Sequence, residues 1–110
     1  MSALVTSDED EDWYTNSRTW SIILERAMAP LDMPARSEYE RYANAIGIDF
    51  TLIEVSKRAQ LASWLLAVID DLQGPLASVY GWDTGRDRAR LRELSRIFEG
   101  VIARNRNHIE

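Results

Sequence analysis

Cysteine is absent from the 110-residue chain, and histidine occurs once, as His108. A disulfide framework, a cysteine nucleophile and a cysteine-ligated metal are thereby excluded. One imidazole near the end cannot build a histidine cage, so no metal site and no cofactor are expected. Long apolar runs are also missing. The longest near-candidate, Leu61 to Ile69, has nine residues where ~18 are needed to span a bilayer, so no membrane partner is expected. The segment from Met1 to Asp8 lacks the basic stretch and long apolar stretch of a secretory signal, which points to a cytoplasmic location. The five glycines, Gly47, Gly74, Gly81, Gly85 and Gly100, do not form a phosphate-cradling loop, and all but Gly100 fall at plausible helix ends.

What is present is enough for one folded domain. Hydrophobic residues make up 45% and charged residues 28%, which excludes wholesale disorder. A chain of this size buries roughly two-thirds of its unfolded surface. The charge, −5 overall, is unevenly placed. Residues 1–83 carry 14 acids and 6 bases, and residues 84–110 carry 4 acids and 7 bases. The acidic part contains the uninterrupted run Asp8, Glu9, Asp10, Glu11 and Asp12. Such runs repel themselves and stay solvated, so residues 1–14 are expected to be a flexible acidic tail.

Helical periodicity accounts for most of the remainder. A first helix is expected from Asn16 or Ser17, with Trp20, Ile23, Leu24, Ala27 and Met28 on one face. Pro30 and Pro34 would end it. The Ser37–Glu40 spacing fits a capping box opening a second helix, closed by Gly47. Thr51 and Glu54 repeat that spacing before an apolar helix over about 51–72, and a last helix is expected after Thr84. Neither strand alternation with hairpin turns nor an internal repeat stands out. The expected fold is all-α: a single-domain bundle of about four helices over residues 15–106 around the central apolar helix, with 107–110 frayed.

Chemistry-bearing patterns are sparse, and no catalytic residues and no enzyme activity are expected. Asp70 and Asp71 are adjacent on a helix and point about 100° apart, so they do not converge on a ligand. Asp83 and Asp87 flank a helix start, where acids serve the helix dipole. From Tyr42 to Arg58, Ala43, Gly47, Ile48 and Ile53 resemble the helix-turn-helix pattern, in which a small residue and a glycine let two helices meet. The resemblance implies a nucleic-acid reader. However, its base-facing positions would be Asp49, Phe50, Thr51, Glu54 and Val55, where readers normally carry Arg, Lys, Asn or Gln. Arg88, Arg92 and Arg96 recur every four residues and make a basic stripe on the last helix.

Aromatic residues supply the other candidates. Trp13 and Tyr14 follow the acidic run, while Tyr80 and Trp82 bracket Gly81. Aromatics in connections beside charge have the composition of interface anchors. These features together point to a small acidic helical protein that occupies, and so inhibits or neutralises, a partner protein with a basic surface. Immunity proteins, antitoxins and anti-defence inhibitors of bacteria or phage share that profile. The expected partner site is Asp8, Glu9, Asp10, Glu11, Asp12, Trp13, Tyr14, Tyr80 and Trp82. A nucleic-acid binder and a homo-oligomeric structural subunit are the alternatives. The acidic tail is further expected to shield the arginine stripe loosely, and, lying outside the core, to leave the thermal midpoint nearly unchanged when residues 1–12 are removed.

Overall fold

The computed structural model describes residues 2–82 and 84–106; Asp83 and the segment 107–110 with His108 lie outside the described residues. It is not an all-α bundle. Strand β1 (Ser2–Thr6), strand β2 (Asp12–Asn16), helix α1 (Ser17–Met28), helix α2 (Met33–Glu40), strand β3 (Ala43–Asn44), strand β4 (Gly47–Asp49), helix α3 (Val55–Gln73) and helix α4 (Gly85–Asn105) make an α+β fold. The four strands form one mixed sheet in the order β2-β1-β4-β3. β1 runs antiparallel to β2 and parallel to β4, so the first strand of the chain is central.

The acidic run is the turn of this β1–β2 hairpin, not a tail. Buried Ser7 makes that possible: its Oγ accepts from the backbone N–H of Glu9 and of Glu11, both at 3.1 Å. Ser7 N–H donates to the Glu11 carbonyl at 2.8 Å, and Asp10 takes the left-handed conformation at φ 61°. Aspartate tolerates that conformation better than most residues. The carboxylates stay at the surface while the backbone polar groups are satisfied inside the turn. The expectation that residues 1–12 are dispensable fails with the tail, because Ala3 and Val5 of β1 are part of the core.

Two helix starts match the sequence and two do not. Asn16 caps α1 by accepting from Thr19 N–H at 2.8 Å, and Thr84 caps α4 by accepting from Asp87 N–H at 3.3 Å. α2 opens earlier than Ser37: Asp32 Oδ1 accepts from Ala35 N–H at 3.0 Å, and Pro34 lies in the first turn, where its missing N–H costs nothing. Thr51 does not open α3. Its N–H and hydroxyl both donate to Asp49 Oδ1, at 2.9 and 2.6 Å, within a 3-10 turn over Phe50–Leu52. The supposed helix-turn-helix corner is therefore a pair of short strands, in which Ala43 pairs with Ile48 and Asn44 with Gly47. That arrangement leaves no reader helix at Asp49–Glu54.

The helices cover one face of the sheet. α3 packs along α4 and against α1, and buries Leu61, Leu65, Ile69 and Leu72 among them. Three tryptophans use their indole N–H as ties between elements. Trp20 donates to the Asn44 carbonyl at 2.6 Å, Trp64 to Ala27 at 2.8 Å and Trp13 to Arg90 at 3.1 Å. A buried indole normally finds such a partner. Phe50 and Phe98 meet edge-on at 6.1 Å in the centre. No helix among the described residues is long and apolar enough to cross a membrane.

Gly47 is the tightest point of the sheet. Its φ is +124°, and a Cβ there would stand 1.8 Å from the Leu4 carbonyl oxygen. Gly81 also has a positive φ, +69°, but open space around it. Gly47→Ala is expected to cost at least about 3 kcal/mol, combining an unfavourable dihedral with backbone overlap. Gly81→Ala should cost about 1–2 kcal/mol, from the dihedral alone. Urea denaturation of the two variants against the parent chain measures the difference.

Candidate functional site

The hairpin separates residues that are neighbours in the sequence. Trp13 is 3% exposed and belongs to the core, whereas Tyr14, one position on, is 59% exposed on the opposite side of the sheet. Period-two alternation of side chains in a strand is the cause. Tyr80 and Trp82 stack at 5.4 Å in the connection before α4. There the Tyr80 hydroxyl accepts from Arg26 Nε at 2.8 Å. Of the expected aromatic anchors, Trp13, Tyr80 and Trp82 thus line adjoining recesses beside α1 and α4, and Tyr14 stands apart on the other face of the sheet.

The acidic residues also divide. Asp8, its side chain 7% exposed, accepts from Arg104 Nη2 at 2.6 Å, Arg104 Nε at 2.9 Å and Asn105 Nδ2 at 2.8 Å. Glu9 pairs with Arg104 Nε at 2.8 Å. Asp12 Oδ1 accepts from the Thr6 hydroxyl at 2.9 Å, and Asp10 and Glu11 remain exposed. The turn therefore docks on the C-terminal end of α4 through Arg104, not on Arg88, Arg92 and Arg96, which stay exposed. Gly100 lies beneath this contact. Arg104 folds back across it, and a Cβ at that position would lie 2.8 Å from Nη1. The mid-helix glycine, which fits no helix end, makes room for the guanidinium that receives the acidic turn.

The feature that remains open to a partner is the sheet face turned away from the helices. The register places two rows across it. Tyr14, Leu4, Gly47 and Asn44 form one, and Asp12, Thr6 and Asp49 form the other. The first row is largely apolar and the second carries two carboxylates. A depression of about 420 Å³ lies beside Leu4 and Gly47, walled by Tyr42, Ile46, Leu52 and Arg41. Ile46 is 75% and Leu52 82% exposed, unusually high for large apolar side chains at the lip of one groove. Asp10 and Glu11 stand at the acidic end of the same hairpin. Of the expected partner residues, this face brings together Asp12 and Tyr14. Sequence reasoning missed Leu4, Ile46 and Leu52: helical periodicity counted Ile46 and Leu52 among the apolar positions of the expected second and third helices, whereas they lie in the connection before β4 and in the 3-10 turn after it.

No protein-family model, curated protein or solved structure matches the chain.

Asp8 gives the docked turn a pH dependence. Burial opposes its charge, but the hydrogen bonds from Arg104 and Asn105 and the attraction of Arg104 outweigh it and hold the carboxyl below its usual 3.8. A depressed carboxyl pKa contributes stability that is present above the unfolded value and is lost as pH falls through the folded value. Asp8→Asn is expected to lower stability at neutral pH by about 1–3 kcal/mol, the range for hydrogen bonds to charged groups. It should also flatten the decline of stability below about pH 4. Denaturation curves for both chains across the acid range check both effects.

Proposed function

We propose that the chain is a small binding protein that occupies a surface of another protein through the open face of its sheet. The observation that carries this reading is the apolar groove at Ile46 and Leu52 lying next to the acidic row Asp12–Thr6–Asp49. An apolar core edged by charge is the anatomy of a specific interface. The chemistry that fits is a partner segment with one apolar side chain for the groove, flanked by Lys or Arg facing Asp12 and Asp49. Carboxylates on the rim steer such a partner, and the groove supplies contact once it arrives. Occupying the surface blocks it, which is how an immunity protein, antitoxin or anti-defence inhibitor acts. A cytoplasmic location is part of this proposal.

The test uses the full chain as bait in native host cells at low salt, followed by mass spectrometry. Ile46→Asp and Leu52→Asp should each abolish capture of the partner with an unchanged thermal midpoint, because both side chains already face water. Arg92→Gln, on the far side of the molecule, should retain it. The captured complex should weaken as salt rises from dilute buffer, through screening of the acidic rim. A partner held equally by both groove variants overturns the reading, as does recovery of none.

A further inference from the structure

A second concavity lies on the other side of β2, and its charge is opposite to that of the chain. Two adjoining recesses, about 690 and 480 Å³, run between the first turns of α1 and α4 and share Asn16, Thr19, Trp82 and Asp87. Arg86 and Arg90 line the larger recess and Arg18 the smaller. Asp87 is the acid among the described lining residues, and its Oδ2 accepts from the Thr84 hydroxyl at 2.7 Å. Among the described lining residues, three arginines stand against one aspartate in a chain of net charge −5.

The aromatic surface of the cleft is braced. Trp82, half-buried, rests against Tyr80, and Tyr80 is held from behind by Arg26, which hydrogen-bonds its hydroxyl and lies 5.5 Å over its ring. On the opposite wall Arg90 lies 4.8 Å over Trp13 and donates to the Tyr14 carbonyl. A flat indole and guanidinium groups in one polar cleft match a ligand that joins a planar aromatic ring to an anionic group. Bases stack on exposed aromatic rings without needing a specific hydrogen-bond pattern, and arginine binds phosphate through paired, charge-assisted hydrogen bonds.

We infer that this cleft binds the base-plus-phosphate unit of a nucleotide, with the base stacked on Trp82 and the phosphate drawn by Arg86 and Arg18. The unit could come from a free nucleotide or from a single strand, since both carry the same chemistry. Arg90, already engaged with Trp13, the Tyr14 carbonyl and Glu93, positions the wall.

Isothermal titration of the full chain at low ionic strength with adenosine monophosphate tests the site. Adenosine and inorganic phosphate, each lacking one half of the ligand, should bind at least about tenfold more weakly than the nucleotide, a difference of about 1.4 kcal/mol. Trp82→Leu and Arg86→Gln should each weaken nucleotide binding about tenfold. Arg86 is exposed, so its variant remains decisive even where Trp82→Leu perturbs the fold. A short single-stranded oligonucleotide separates the sources. Tighter binding than the mononucleotide identifies a strand as the ligand, and equal binding identifies the free nucleotide. The inference is overturned if neither ligand binds at millimolar concentration, or if Arg86→Gln binds as tightly as the parent chain.

Discussion

The pairing of β1 with β4 is the constraint on which the molecule depends. It joins Leu4 to Gly47 across the intervening β2, α1, α2 and β3, and it requires a residue without a side chain at position 47. Parallel strands cannot be joined by a tight turn, so the connection must leave the sheet and return. Here it leaves through the hairpin strand β2 and helix α1 and comes back beside β1 on its other edge. With β1 held on both sides, Ala3, Val5, Trp13 and Ile48 line one face as a continuous apolar surface. α1, α3 and α4 contribute to a common core with that face, and the other face has no helix to cover it. The proposed binding surface is thus the face that a two-layer arrangement leaves over.

How far the sequence revealed this follows from the range of each signal. Local signals read correctly. Asn16 and Thr84 cap their helices through contacts three residues away, and the apolar stripe of α3 repeats over several turns. Ser37 and Thr51 show where local signals compete. Each begins a capping-box spacing, but Asp32 before Pro34, and Asp49 before Thr51, offer carboxylates that reach the free N–H groups first. The strands were out of reach for a different reason. β3 has two residues and β4 three, too few to show any alternation, and β1 is recognisable only beside its partners.

The acidic run misled for a physical reason as well. Five adjacent carboxylates normally resist compaction, and nothing in their own sequence says otherwise. What folds them is Ser7 inside the turn and Arg104 with Asn105 outside it, 96 and 97 residues beyond Asp8. Gly100 was the visible trace of that contact, since a glycine within a helix weakens it by about 1 kcal/mol relative to alanine unless something needs the space. The candidate site was half legible by the same standard. Asp12 and Tyr14 were identified by composition, while Leu4 needed the register and Ile46 and Leu52 needed the sheet to be seen as an exposed edge of the core.

Strand β2 is the wall between the two proposed surfaces, and Arg90 touches both of its sides. Its guanidinium lies over Trp13, which lines the cleft, and donates to the carbonyl of Tyr14, whose side chain is on the open face of the sheet. The indole N–H of Trp13 returns a bond to the Arg90 carbonyl. An edge strand with unpaired backbone groups invites pairing with other chains, and a cationic side chain bonded to that edge blocks it. One arginine on α4 therefore fastens the sheet to the helices and closes the edge at Tyr14. It also keeps the basic cleft and the acidic groove on opposite sides of a single strand. Their opposite charges can coexist in so small a domain because the low-lying β2 backbone and buried Trp13 stand between them, and because exposed charges are screened over roughly 8–10 Å at ordinary salt.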